Sequence, residues 1–151
     1  MGLAASHRRE ESALRQLVNA LDFMECELQY RMTPLPELCR LAGRENSGSI
    51  RNVLLELARE LDEQIAPDVF SCMKAALSAA QDIPDSSARA LEHLGQTLGR
   101  FDLAGQLKGL EAVRSDCRRI LAEMSQNKEQ RLRSYQTLGF CAGAALAILL
   151  V

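Results

Sequence analysis

The last stretch of the chain, Ser134 to Val151 (SYQTLGFCAGAALAILLV), carries no charged side chain, and from Leu138 onward glycine is its only type that is not apolar. A helix of that length spans about 27 Å at ~1.5 Å per residue, close to the ~30 Å hydrocarbon core of a bilayer. Lys128, Arg131 and Arg133 precede the run and Tyr135 opens it, an arrangement typical of a cytoplasmic membrane edge. The other reading is a buried terminal helix of a soluble core, but such a helix normally keeps one polar stripe, and this one has none. Residues 134–151 are therefore expected to form a transmembrane helix. Whatever precedes them must fold as a body that water can surround.

The chain has 151 residues, enough for one domain with a real core. It is rich in Leu, Ala, Glu and Arg and poor in β-branched types, which predicts an all-α fold. A net charge of −2 offers no bulk attraction to nucleic acid or to an anionic membrane surface. The cysteines are Cys26, Cys39, Cys72, Cys117 and Cys141, with no C-x-x-C pair among them. Their odd number and wide spacing read neither as a disulfide framework nor as a zinc site. They are expected to act as small hydrophobes in a reducing compartment.

Taken in order, the chain opens with MGLAA, too short for a signal peptide or a span, followed by the basic His7, Arg8 and Arg9. Leu14, Leu17, Val18, Leu21, Met24 and Leu28 recur at helical spacing and predict a first helix over 10–31. Thr33-Pro34-Leu35-Pro36 ends it and opens a short helix to Ala42, which Gly43 can close in the left-handed conformation. Ser49 can cap a third helix to Ile65, with Ile50, Val53, Leu54, Leu57, Leu61 and Ile65 inward. Pro67 suits the first turn of a fourth, to Gln81, with Val69, Phe70, Met73, Leu77 and Ala80 inward. A fifth runs from Ser86 or Ser87 to Leu98. Asp102 is a good N-cap for the last, whose pattern starts at Leu103 and can continue unbroken to Val151. The expected architecture is an antiparallel bundle of five to six helices, with the last helix continuing into the membrane. Its parts are a tail over 1–9, a bundle over 10–133 and the span over 134–151.

Chemistry is scarce in this pattern. His7 lies near the chain start, and His93 adjoins Glu92 at a spacing where helical side chains point apart. The charged stretches LARELDE (57–63) and RSDCRR (114–119) read as solvated helix faces. No hydrolase, zinc or phosphate-loop motif occurs. The expected protein is not an enzyme, with no cofactor, metal or small-molecule substrate. Two features stand out. Gly139, Gly143 and Ala147 place small residues every fourth position of the terminal run, which lets a partner helix approach closely. Gly95, Gly99, Gly105 and Gly109 leave bare backbone on both arms of one helical corner. Arg100, Asp102 and Gln106 sit at that corner and are candidate partner-binding residues.

The corner Leu98-Gly99-Arg100-Phe101-Asp102-Leu103-Ala104-Gly105-Gln106 resembles the L-G-x-x-D-x-x-G-Q element of the stage III sporulation protein AB family. Tyr30 with Thr33-Pro34-Leu35-Pro36-Glu37 resembles it too, as does Arg133-Ser134-Tyr135-Gln136-Thr137-Leu138-Gly139. The resemblance covers essentially the whole chain in order. It implies a component of the channel complex that links mother cell and forespore in endospore-forming bacteria. It also implies a bundle similar to the cytoplasmic F-domain of type II secretion and pilus platform proteins. The role implied is a platform coupling a cytoplasmic secretion-type ATPase, stage III sporulation protein AA, to the channel's other membrane proteins. The bundle would lie in the cytoplasm, at the mother-cell membrane facing the forespore. Family members usually begin with a transmembrane helix, of which Met1 to Ala5 could be a remnant. The alternative is a membrane-tethered helical sensor whose continuous last helix relays shifts between bilayer and bundle.

Overall fold

A computed structural model describes the backbone over residues 2–64, 66–99 and 102–150, and side chains over 7–64, 66–99 and 102–126. Within those residues the chain is helical, without strands: α1 (Gly2–Arg31), α2 (Leu35–Arg44), α3 (Gly48–Glu63), α4 (Val69–Ala79), α5 (Asp85–Thr97) and α6 (Leu103–Leu150). It divides into two compact units, Met1–Arg119 and Ile120–Val151.

The first unit is a bundle, and its contacts show how it is threaded. Gly43 approaches Leu55 while Arg40 pairs with Asp62. Gly99 meets Val69 while Gly95 meets Met73. Gly109 meets Thr97 while His93 lies 4.0 Å from Asp116. In each pair one partner advances along the chain as the other retreats, so α2 and α3, α4 and α5, and α5 and α6 run antiparallel, as short connections favour. The stripe on α1 packs as its spacing requires: Leu14, Leu17, Leu21, Met24 and Leu28 are buried, joined by Ala13 and Ala20, with Val18 at the edge. Leu38 and Cys39 of α2, Ile50, Val53, Leu54 and Leu57 of α3, Leu91 and Leu94 of α5, and Leu110, Val113 and Cys117 of α6 pack into the same core.

Several boundaries differ from the sequence reading. The first helix begins by Gly2, not near Glu10. Gly43 does not close α2; the helix continues to Arg44, and Glu45 caps it with φ −76°. Gly43 instead leaves room for α3, since a Cβ there would lie 3.0 Å from Leu55 Cδ2. The cap of α3 is Ser47, not Ser49, and its hydroxyl accepts from Gln16 Nε2 at 3.2 Å rather than from its own helix. Pro67 precedes α4 rather than opening it; Asp68 is the N-cap and accepts from Ser71 N at 2.7 Å. That start places Cys72, Met73 and Ala76 in the core and leaves Val69, Phe70, Leu77 and Ala80 outside the fully buried set.

The thiols separate by place. Cys39, Cys72 and Cys117 are free and buried, whereas Cys26 is exposed; Cys141 lies outside the described side chains. Burial pushes the Cys39 thiol up to about 12 and the Cys117 thiol up to about 11, so neither is a ready nucleophile.

Among the described residues no helix is long and apolar enough to cross a membrane. The expected span Ser134–Val151 lies outside the described side chains, as do Gly139, Gly143 and Ala147, so the structure lends the span no support of its own.

Candidate docking corner

The connection from α5 to α6 is built by two local devices. Leu98 caps α5 and is fully buried. Gly99 then takes φ +78°, a conformation that side chains with a Cβ resist. Space is as tight as the backbone is unusual, since a Cβ on Gly99 would lie 2.8 Å from Val69 Cγ2 and 3.8 Å from Leu35 Cδ2. Asp102 starts α6: its Oδ1 accepts from Gly105 N at 2.9 Å, and its carbonyl accepts from Gln106 N at 2.9 Å. Asp102 is exposed and Gln106 half-buried. Arg100 lies outside the described residues.

The glycines of the corner do two different jobs. Gly109 presses on the α5 arm, where a Cβ would lie 2.6 Å from Thr97 Cβ. Thr97 is itself held, its hydroxyl donating to the Leu94 carbonyl at 2.9 Å. Gly95 faces α4 instead, with a Cβ position 2.8 Å from Met73 Cβ. The close crossing of the corner's own two helices therefore rests on the Gly109 arm.

Leu35, whose Cδ2 lies 3.8 Å from where a Cβ on Gly99 would stand, belongs to the Thr33–Glu37 segment. The structure thus brings together two segments that lie far apart in sequence and that the reading of the chain singled out separately. The first is anchored by Thr33 Oγ1, which donates to Glu27 Oε2 at 2.8 Å. Just before it Tyr30 is 79% exposed and Met32, with φ +51°, is 70% exposed. Leu103, beside Asp102, is another large apolar side chain at the surface.

A profile of the family described as stage III sporulation protein AB matches residues 1–151. The chain belongs to that family. Stage III sporulation protein AB of Bacillus subtilis (strain 168) is 23% identical over 152 residues, covering 99% of this chain and 88% of that protein. A solved structure of stage III sporulation protein AB matches with a TM-score of 0.69 at 21% identity, covering 81% of this chain and 98% of that one. The fold of this family member is thus shared with a solved structure of the same description.

Two charged residues of this family member escaped the sequence reading. Arg114, read as part of a solvated face, has a side chain only 12% exposed. Its Nη1 donates to Asp22 Oδ1 at 2.7 Å and to Glu25, its Nη2 pairs with Glu111, and its Nε has no partner. Burial alone would lower its pKa, but the hydrogen bonds to Asp22 and Glu25 outweigh burial and raise it. Arg114 so ties α6 to α1 as a permanent cation. Among the described residues, no group of His, Cys, Asp or Glu side chains is placed to hold a metal ion.

Glu60, read as solvated, is 7% exposed, and its Oε2 has no hydrogen-bond partner. Burial, reinforced by the charge of Glu56, raises its pKa against the pull of Arg59; Cys72 of α4 faces its charge. The folded state therefore holds the Glu60 proton more tightly than the unfolded chain does. The penalty for ionised Glu60 is complete above the folded pKa and vanishes as pH falls to the ordinary carboxyl value, about 4.3. Glu60→Gln is expected to stabilise the fold by about 1 kcal/mol at pH 7 and by little at pH 4. Urea unfolding of both chains at the two pH values measures this, and equal stability at pH 7 would show the site to be solvated.

Proposed function

We propose that the chain is a non-enzymatic platform of the channel between mother cell and forespore. Ser134–Val151 holds it in the mother-cell membrane, with the bundle in the cytoplasm. The α5–α6 corner receives a secretion-type ATPase, stage III sporulation protein AA, and couples it to the channel's other membrane proteins. What supports the docking part is the nearness of Leu35 to Gly99, where a Cβ would lie 3.8 Å from Leu35 Cδ2, which sets two family-like segments side by side; Tyr30, Met32 and Leu103, adjoining those segments in the chain, are exposed. Family membership supports the sporulation role.

The test must separate docking from capping, because Asp102 already caps α6. Asp102→Asn keeps a competent cap and removes the charge. It is expected to leave the helical signal unchanged and to weaken binding of the ATPase about tenfold, the size of one lost charged hydrogen bond. Photo-cross-linking from position 103 in membranes, with the ATPase present, locates the interface. Cross-links that fall wholly outside residues 30–37 and 98–106 would refute the docking corner while leaving the family assignment intact.

A further inference from the structure

We propose that the outer face of α2 and α3 receives an acidic segment of another protein, one in which carboxylates are followed by an apolar side chain. The proposal goes beyond the platform reading and does not depend on it. Because Gly43 admits α3 so closely, side chains of both helices line one shallow groove. Four of them are arginines: Arg40 and Arg44 from α2, Arg51 and Arg59 from α3. Leu55 lies between Arg51 and Arg59 on α3 and is half-buried.

The four arginines differ in what they already hold. Arg40 pairs with Glu37 and Asp62, and Arg59 pairs with Glu56 and Glu63. Asp62 and Glu63 line the groove with them, so that end is neutral. Arg44 and Arg51 are exposed, and among the described residues neither has a carboxylate within 4.0 Å. They share the other end, since a Cβ on Gly43 would lie 3.4 Å from the Arg51 carbonyl oxygen. Glu45 follows Arg44 but does not line the groove. The charge to be met by a partner is therefore positive and confined to one end.

A guanidinium presents a planar fork that takes a carboxylate through two parallel hydrogen bonds. An anionic lipid layer would also find Arg44 and Arg51, but it is continuous and would press like charge onto Asp62 and Glu63. A peptide can place its carboxylates over Arg44 and Arg51 alone. It can then lay an apolar side chain on Leu55, about 6 Å further along α3, a distance covered by about two residues of extended chain or one turn of helix. An acidic segment of that pattern complements the whole groove, whereas a uniformly anionic surface complements one end of it.

The experiment measures fluorescence anisotropy of a short dye-labelled peptide of glutamate, alanine and leucine, each glutamate pair followed by leucine, with the full chain in neutral detergent. The comparison peptide has glutamine for every glutamate. The acidic peptide is expected to bind about tenfold or more tightly at about 50 mM salt and to lose most of that preference by about 500 mM. Arg44→Glu with Arg51→Glu is expected to abolish the preference. Arg89→Glu with Arg118→Glu, an equal change of charge at exposed positions of α5 and α6, is expected to leave it. Circular dichroism confirms that the variants fold; if the first loses its helical signal, Arg44→Gln with Arg51→Gln gives the same contrast. Equal binding of the two peptides, or equal loss in the two double variants, would overturn the proposal. So would a chain that ignores the acidic peptide but shows slowed amide hydrogen exchange over 40–63 in lipid discs containing phosphatidylserine and not in neutral ones, which would assign the groove to lipid.

Discussion

Gly99→Ala is expected to lower the stability of the bundle by about 2–5 kcal/mol, a fall in melting temperature of about 6–15 °C. Two costs combine. The backbone at φ +78° lies where a Cβ costs about 1–2 kcal/mol. The added methyl would also sit 2.8 Å from Val69 Cγ2, and overpacking of that kind typically costs about 1–3 kcal/mol. Val69 is the first residue of α4 and half-buried, so it yields only by shifting the start of that helix. A double-mutant cycle separates the two costs. Val69→Ala removes the clash and leaves the backbone strain, so Gly99→Ala should cost less by about 1 kcal/mol or more in the Val69→Ala background. Equal costs in both backgrounds would mean that the corner relaxes freely and that its geometry is not fixed by α4. Thermal and urea unfolding of the four chains decide between these outcomes.

Much of this corner is legible in the sequence. A glycine, then an aspartate three residues on, then a second glycine three residues further spells a turn and a cap, and both devices depend only on local backbone. The α1 and α3 cores are legible for the same reason, since one apolar stripe at helical spacing admits one inward face. The α4 helix is less so, because VFSCMKAALSA is apolar or small on most sides and its periodicity leaves the inward face open. Its start is set by Asp68, which caps the helix where Pro67 was expected to open it, and the face turned inward carries Cys72, Met73 and Ala76.

Long-range pairing is the harder part. Nothing within RSDCRR distinguishes Arg114 from Arg118 or Arg119, because what holds Arg114 is a pair of carboxylates on α1, Asp22 and Glu25. Glu60 stands three residues after Leu57 and seven after Val53, on the buried face of α3, so its place is legible in the helical spacing, although the stretch reads as charged. Gly43 reads as a helix terminator until Leu55 is seen to occupy the space its missing side chain leaves. For Arg114 and Gly43 the deciding atoms belong to another helix, and the local sequence does not name them.

Removing Ser134–Val151 is expected to move the chain from the membrane pellet to the supernatant. Each Leu, Ile, Phe or Val at the centre of a span favours insertion by about 0.3–0.6 kcal/mol, and each charged residue there opposes it by about 2.5–3.5 kcal/mol. Ser134–Val151 has many of the first and none of the second, whereas Arg131 and Arg133 lie immediately before it. The preference for lipid therefore changes sign at about Ser134, and on the proposed anchoring a chain ending at Arg133 keeps the charges and loses the segment that would hold them at the surface. The bundle should not notice the loss, because Met1–Arg119 forms a compact unit by itself, so its urea midpoint is expected to stay the same. Fractionation of cells making either chain, followed by an alkaline carbonate wash of the pellet, reads the result. The full chain should resist the wash, since carbonate strips proteins held by charge but not those held by a span. A full chain released by carbonate would show that its attachment is peripheral, and the platform would then need another protein to hold it at the membrane.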